Sequence, residues 1–140
     1  MAGDRTLEAE VLTPEGEVFR GELRMLSTRT TVGEVGILAA HIPMIARLVP
    51  AELRLHHSES DSDVDRYAQG EGWLEVFANR ARVLIAEAIP PDQLDAGDLR
   101  RRLEDAEQSL NEAEEGSAAA EQAERERARA EAFIAIAEGN

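Results

Sequence analysis

The chain has 140 residues, enough for one small domain with an appendage but too few for two ordinary enzyme domains. It contains no cysteine, and all 15 basic residues are arginine, which excludes thiolate metal sites, cysteine nucleophiles and the lysine of a phosphate-binding loop. A formal net charge of -14 repels nucleic acid and anionic lipid, so the sequence favours proteins as partners. No apolar stretch approaches the length of a transmembrane helix, so we expect contact with a membrane only through a partner.

Residues 1–88 are predicted to form an antiparallel β-sandwich. Apolar and polar residues alternate in 7–11 and 80–85, as expected for strands with one buried face. Similar short runs between them are separated by turn residues and span 18–26, 44–49, 53–57 and 73–77. The acidic segment 58–66 is too polar for a core strand and is predicted to be an exposed hairpin tip.

Residues 89–140 are predicted to form a helical hairpin, which makes the fold class α+β. The pair Pro90 and Pro91 ends strand pairing at this boundary. A first helix is expected after Asp95 or Asp98 as the N-cap residue, because apolar residues then recur at spacings of four and three: Leu99, Leu103, Ala106, Leu110 and Ala113.

An alanine-rich second helix is predicted over residues 118–137, after an interruption at 115–117. The apolar face of this helix consists of Ala120, Ala123, Ala130, Ile134 and Ala137. Arg127 occupies the middle position of this helix face, where its guanidinium must reach solvent or an ion-pair partner. We therefore expect the two helices to be held together only marginally.

Two motifs resemble the epsilon subunit family of F-type ATP synthases of the bacterial and chloroplast type. The first reads Gly33-Glu34-Val35-Gly36-Ile37-Leu38-Ala39-Ala40-His41-Ile42-Pro43, close to the family pattern G-E-x-G-[IV]-L-x-x-H-x-P. The second reads Gly72-Trp73-Leu74-Glu75-Val76-Phe77-Ala78-Asn79 and is followed by Arg82-Val83-Leu84-Ile85-Ala86-Glu87-Ala88. With the opening residues 11–16 and the order of sandwich and hairpin, the resemblance covers nearly the whole chain.

The resemblance implies a non-catalytic subunit without a cofactor. A family member of this kind couples rotation in the central stalk, with its sandwich on the gamma subunit and the membrane rotor ring (c-ring). Its C-terminal helices inhibit ATP hydrolysis when they extend toward the catalytic α/β head. The implied location is peripheral, on the cytoplasmic face of the bacterial inner membrane.

The local structure of the first motif can be predicted from its residues without reference to the family. The glycines at 33 and 36 predict a tight turn with positive φ, which displays Glu34 on an exposed tip. Ile37 and Leu38 are then expected to re-enter the core.

The resemblance assigns Glu34, Val35 and His41 to a loop that faces the rotor ring. The alternative for Glu34 is a solvated turn residue. The alternative for His41 is a residue that caps a turn, because no second ligand lies at metal spacing.

Two turns depart from the family pattern. Ala39-Ala40 stand where the family commonly has Pro-Gly, and Ala51 stands where it has Gly after Pro50. If these turns need positive φ, each alanine costs about 1 kcal/mol.

The basic cluster of the second helix consists of Arg125, Arg127 and Arg129. The resemblance implies that these residues contact acidic segments of the catalytic head. The alternative is pairing within the helix, with the carboxylates of Glu121, Glu124, Glu126 and Glu131.

An ATP-sensing module on the hairpin is the alternative function. Some family members bind ATP through an [IL]-D-x-x-R-A motif, and Leu94-Asp95 match its start. Asp98 and Leu99 stand where Arg and Ala belong, and an acidic group repels phosphate. Arg100, Arg101 and Arg102 could replace the missing arginine in another register, with Asp95, Arg100 and Arg101 as the candidate site.

Histidines and carboxylates meet at the predicted hairpin tip, where His56 and His57 precede Glu59, Asp61 and Asp63. A flexible tip is a poor cage for a divalent ion, so we interpret these residues as exposed polar side chains rather than a metal site. Carboxylates are too abundant in this sequence for any pair to indicate a catalytic dyad.

Overall fold

The computed structural model describes residues 5–139. The chain divides into two compact units, one up to Pro90 and one from Pro91 onward. The first unit contains ten strands: β1 Leu7–Thr13, β2 Gly16–Leu23, β3 Met25–Thr30, β4 Gly33–Leu38, β5 Met44–Leu48, β6 Ala51–His56, β7 Val64–Gln69, β8 Gly72–Phe77, β9 Arg80–Ile85 and β10 Ala88–Ile89. The second unit contains a short 3-10 turn, Pro91–Gln93, and two helices, α1 Ala96–Glu112 and α2 Ala118–Ala137.

The ten strands form one sheet that folds into a near-closed sandwich, which confirms the predicted fold class. The strand order is β10-β7-β6-β3-β5-β8-β9-β1-β2, with β4 paired to β3. Strand β3 joins the two halves, because Met25–Ser27 pair with β6 whereas Thr30 pairs with Leu48 of β5. The pairs are antiparallel except β1 with β9, which run parallel. Sequence alternation does not reveal this pair, because its two strands lie about 70 residues apart in the chain and local patterns carry no pairing direction.

The core of the sandwich is aliphatic, as the low aromatic content requires. Strand β9 alternates strictly between exposed and buried residues, with Ala81, Val83 and Ile85 inward. Strand β1 does the same with Leu7, Ala9 and Val11. Burying a valine, leucine or isoleucine side chain contributes about 1.5 to 3 kcal/mol to the free energy of unfolding. The core therefore stabilises the unit without a large aromatic residue at its centre.

The two helices begin at clear N-caps and agree with the predicted boundaries. Asp95 caps α1, its side chain accepting a hydrogen bond from the backbone N–H of Asp98 at 3.1 Å. Ser117 caps α2 in the same way, from the N–H of Ala120 at 3.1 Å. Of the two candidates for the first cap, Asp95 is therefore the correct one, and Asp98 lies in the first turn.

The helices pack through a narrow seam of small residues. Leu99 and Ala106 of α1 and Ala123 and Ala130 of α2 are buried. Phe133 is fully buried, although the predicted apolar face of α2 includes Ile134 and not Phe133. Adjacent residues of a helix lie about 100° apart around its axis. The buried face in the last turns of α2 is therefore centred on a different side of the helix from the predicted one.

One turn carries the strain that the sequence predicts. Ala40 has φ of +62°, in the left-handed region that disfavours alanine. We expect Ala40→Gly to raise the free energy of unfolding by about 1 kcal/mol, measured by denaturant titration. Ala51 begins strand β6 and is not among the residues with positive φ, so the destabilisation expected of an alanine at this turn does not arise. Ala51→Gly serves as the control: an equal gain in both variants would show that the backbone at Ala40 is not the cause.

Candidate functional site

The hairpin of β3 and β4 differs from the predicted tip. Its two-residue turn consists of Thr31 and Val32, because Thr30 pairs directly with Gly33. Gly33 has positive φ, and the Thr30 hydroxyl donates to its carbonyl at 2.9 Å. Glu34 therefore lies in strand β4, two residues beyond Val32, and the prediction that it occupies the tip of the turn is wrong.

Glu34 is nevertheless well exposed, with 79% of its side chain accessible. It pairs across the strands with Arg29, whose Nη2 lies 3.3 Å from a Glu34 oxygen. An ion pair this exposed contributes at most about 1 kcal/mol, so Glu34 can exchange its partner at little cost.

The prediction that Leu38 re-enters the core is wrong. Val35 is partly buried and Ile37 is fully buried, so the period of two in strand β4 turns Gly36 and Leu38 outward. Leu38 is 53% exposed, and Gly36 pairs with Ser27 without positive φ.

His41 lies beyond the opposite end of β4 from Glu34. The strand advances about 3.3 Å per residue, which puts roughly 13 Å between Glu34 and Leu38 alone. The His41 backbone N–H donates to the Leu38 carbonyl at 3.2 Å, and its Nδ1 lies 2.7 Å from the Ile42 carbonyl oxygen. These contacts fit the alternative reading of His41 as a turn residue, and Glu34 and His41 do not form one continuous loop.

Asn79 fixes the turns at the His41 end. It lies with Ala78 in the two-residue turn between β8 and β9, both at positive φ. Its Oδ1 accepts from the Ala40 N–H at 2.8 Å, and its Nδ2 donates to the Thr6 carbonyl at 3.0 Å. Residues 78–79 separate the predicted strands 73–77 and 80–85, but nothing in the sequence indicates that Asn79 bridges three segments, because a side-chain contact over 39 residues leaves no local signal.

One face of the sandwich displays large apolar side chains. Ile45 is 74% exposed, Phe77 53%, Trp73 49% and Leu84 40%. These four residues belong to three adjacent strands, β5, β8 and β9, and point to the same side of the sheet. We call this set the apolar stripe.

A ladder of opposite charges continues this face onto β1 and β2. Arg80 lies 3.7 Å from Glu8, and Glu10 lies 3.6 Å from Arg82 and 3.1 Å from Arg20. The ladder lines a hollow of about 370 Å³. The face is thus apolar along one half and charged along the other, a pattern typical of a protein-binding surface.

The basic cluster of α2 is engaged within its own helix. Arg127 donates to Glu124 at 3.0 Å and to Glu131 at 2.8 Å, and the hydrogen bond to Glu124 raises the pKa of the guanidinium. Arg129 lies over the ring of Phe133, 4.5 Å from its centroid. These contacts match the intrahelical alternative for Arg127.

The candidate nucleotide residues of α1 also have partners. The carboxylate of Asp98 accepts from Arg101 at 3.2 Å and from Arg102 at 2.8 Å, and the bond from Arg102 lowers the pKa of Asp98. Arg100 pairs with Glu138 at the end of α2. Asp95 is engaged as the helix cap, so each of these candidate residues has a partner within the second unit.

The histidines near the β6–β7 hairpin make separate contacts. His56 Nε2 lies 3.1 Å from the Ser27 hydroxyl, and burial lowers the pKa of this imidazole. His57 Nε2 lies 2.7 Å from Asp65. Within residues 5–139, no group of three or more His, Asp or Glu side chains is placed to hold a metal ion. In the same range, no helix is both long and apolar enough to cross a membrane.

Comparison with known proteins identifies the family. Residues 6–91 match the family described as "ATP synthase, Delta/Epsilon chain, beta-sandwich domain". The ATP synthase epsilon chain of Halalkalibacterium halodurans is 36% identical over 110 residues, covering 79% of this chain and 80% of its own length. That of Sulfurihydrogenibium is 29% identical over 128 residues, covering 91% and 94%.

Solved structures show the same fold. A chain from the cryo-EM structure of the Euglena gracilis mitochondrial ATP synthase superimposes with a TM-score of 0.79 at 22% identity, covering 94% of this chain and 81% of that one. A chain from the central stalk and c-ring structure of the Tetrahymena thermophila enzyme gives 0.60 at 16% identity, covering 93% and 95%. Together with the match of the sandwich and the bacterial relatives, these findings show that the chain belongs to the ATP synthase epsilon-chain family of the bacterial type, as a non-catalytic subunit.

Proposed function

We propose that the chain couples rotation in the central stalk of an F-type ATP synthase and restrains ATP hydrolysis through its helices. In this proposal the sandwich binds the gamma subunit and the rotor ring, on the cytoplasmic face of the bacterial inner membrane. The observation that carries it is the apolar stripe, since four large apolar side chains on one sheet face are exposed in the chain itself.

The apolar stripe supports a stable protein contact. Aromatic and aliphatic anchors surrounded by charged residues are the usual centre of such interfaces. Trp73 lies under Arg47, whose guanidinium is 5.7 Å from the ring centroid, so the ring already has one polar neighbour at the edge of the stripe. We assign this face to the gamma subunit.

The turn of β3 and β4 supports the contact with the rotor ring. Val32 is 95% exposed and Glu34 stands beside it, so the turn offers one apolar and one acidic side chain. A polar loop carrying a cation or amide could replace Arg29 as the partner of Glu34. His41 lies at the other end of β4 and Val35 packs inward against the core, so this proposal gives Val32 and Glu34 to the contact made by the turn.

The hairpin supports a two-state role. Its buried residues, among those the structure describes, include only two large side chains, Leu99 and Phe133, and the remaining three are alanines that each bury little apolar area, so few groups hold the helices together. Arg127 donates to Glu124 and Glu131 of the same helix, so this residue keeps its partners when α2 moves. In the extended state the basic cluster of α2 would exchange intrahelical carboxylates for those of the catalytic head.

We expect Phe77→Asp to weaken binding to the isolated gamma subunit by at least about tenfold, since a charge is placed in an apolar contact. Val32→Asp is the matched control, because it puts the same charge on an exposed apolar residue outside the apolar stripe. Titration calorimetry with purified subunits measures both. Equal affinity of Phe77→Asp and the unchanged chain would remove the apolar stripe from the interface.

A further inference from the structure

An open groove lies at the turn of the helical hairpin. Its apolar floor is formed by Leu110, Ala113 and Ala120, and its volume is about 570 Å³. The first turn of α2 begins with three alanines, and Ala120, which lines the groove opposite Leu110 of α1, has a side chain too small to fill the space. All three floor residues remain partly accessible.

The rim of this groove is acidic. Glu115, Glu121 and Glu124 line it. They belong to a longer segment, residues 104–124, that holds eight Asp or Glu residues and no Arg. Arg125 closes one edge and donates to Gln122. The space above the apolar floor is therefore strongly negative.

We infer that this groove binds a cationic amphipathic helix of a partner protein. A helix of this kind places an apolar side chain on Leu110 and the two alanines, and sets lysine or arginine against the glutamates of the rim. The space beside Leu110 is about 570 Å³, within the volume range of pockets that enclose apolar groups of a ligand.

Other occupants are disfavoured by charge. A nucleotide or an anionic membrane would bring phosphates against the rim carboxylates. A second copy of the chain carries a net charge of -14 and would be repelled as a whole. An uncharged helix would cover Glu115 and Glu121 without supplying a cation, whereas Glu124 already accepts from Arg127. The cationic helix is therefore the occupant that both floor and rim fit.

This surface goes beyond the inhibitory contact of the proposed function and has the opposite electrostatic preference. Arg125, Arg127 and Arg129 suit an acidic partner, whereas the groove suits a basic one. The hairpin would then hold a basic partner at its turn and an acidic partner along the middle of α2, with Arg125 at the border between the two surfaces. The test below uses the chain alone, so its failure would leave the role of the sandwich in the stalk untouched.

The experiment uses a fluorescent 18-residue helical peptide with leucines on one face and lysines on the opposite face. Its binding to the full-length chain is measured by fluorescence anisotropy at low salt. We expect saturable binding, and no binding of the same helix with glutamate in place of lysine. Leu110→Gln removes the floor without changing the charge, and it should weaken binding by about tenfold. Helix content measured by circular dichroism shows whether this variant keeps its hairpin.

A pair of double variants separates the rim from net charge. Glu115→Gln with Glu121→Gln should weaken binding at least about fivefold, since both lost charges line the groove. Asp61→Asn with Asp63→Asn removes the same charge from the tip between β6 and β7 and should leave the affinity within about twofold. Absence of binding, or an equal loss in the two double variants, would overturn the inference.

Discussion

Truncation of the chain after Pro90 is expected to raise ATP hydrolysis by the assembled ATP synthase about fivefold or more, while ATP-driven proton pumping stays coupled. The cut follows the boundary between the two compact units and keeps β10, whose Ala88 and Ile89 pair with β7. Removing the helices removes the proposed extended state, and a regulatory coupling of about 1 to 3 kcal/mol corresponds to roughly 5- to 150-fold in the equilibrium between the inhibited and the active state. Hydrolysis by complexes reconstituted with each chain is the measurement.

The matched control for this truncation is a full-length chain in which Arg125, Arg127 and Arg129 are replaced by Gln. If those residues contact the catalytic head, the variant should show a large part of the same rise with its hairpin intact. Unchanged hydrolysis in the truncated complex would remove inhibition from the function of the hairpin. A rise in the truncation alone would place the inhibitory contact elsewhere on the helices.

Gly72→Ala is expected to lower the free energy of unfolding by about 3 kcal/mol or more. A Cβ atom at this position would lie 1.9 Å from the Leu84 carbonyl oxygen and 2.8 Å from the Ile85 Cα. Both are backbone atoms of the paired strand β9, so neither can move without shifting the strand that carries Leu84 of the apolar stripe. Denaturant unfolding followed by the fluorescence of Trp73, the single tryptophan, measures the loss.

Gly36→Ala controls for the general effect of replacing a strand glycine. Its added Cβ would meet only the sulfur of Met25, at 3.3 Å, and a methionine side chain can adjust. We expect a change within about 0.5 kcal/mol. A similar small change for Gly72→Ala would show that the close approach of β8 and β9 is relieved by a minor backbone movement.

The elements that follow from local patterns are predictable from the sequence. The second helix over 118–137 agrees at both ends, because Ser117 and the interruption before it are strong local signals. The strands 80–85 and 7–11 likewise agree in alternation, although β1 extends to Thr13. These features need no information from distant residues.

The candidate site was less predictable, because it depends on register. Two glycines three residues apart suggested a turn at Glu34, but the direct pairing of Thr30 with Gly33 moves the turn to Thr31 and Val32. Adjacent residues of a strand point to opposite faces, so Ile37 and Leu38 cannot both enter the core, and Leu38 is exposed. Asn79 owes its role to contacts with segments far away in the chain, which no local pattern encodes.

The apolar stripe was also hidden in the sequence. Trp73 and Phe77 belong to a family-like motif, but alternation alone does not say which face of an apolar strand looks outward. The pairings of Ile45 with Glu75 and of Trp73 with Leu84 bring the exposed residues of three strands together.

The most direct measurement is the affinity of the purified full-length chain for the isolated gamma subunit of a bacterial F-type ATP synthase, by titration calorimetry. Binding through the apolar stripe and the charged residues beside it predicts a one-to-one complex with a dissociation constant of about 1 µM or tighter. Binding should bury Trp73 and shift its emission to shorter wavelength. No complex at tens of micromolar protein, or a complex that leaves Trp73 unchanged, would contradict the assignment of the sandwich to the stalk.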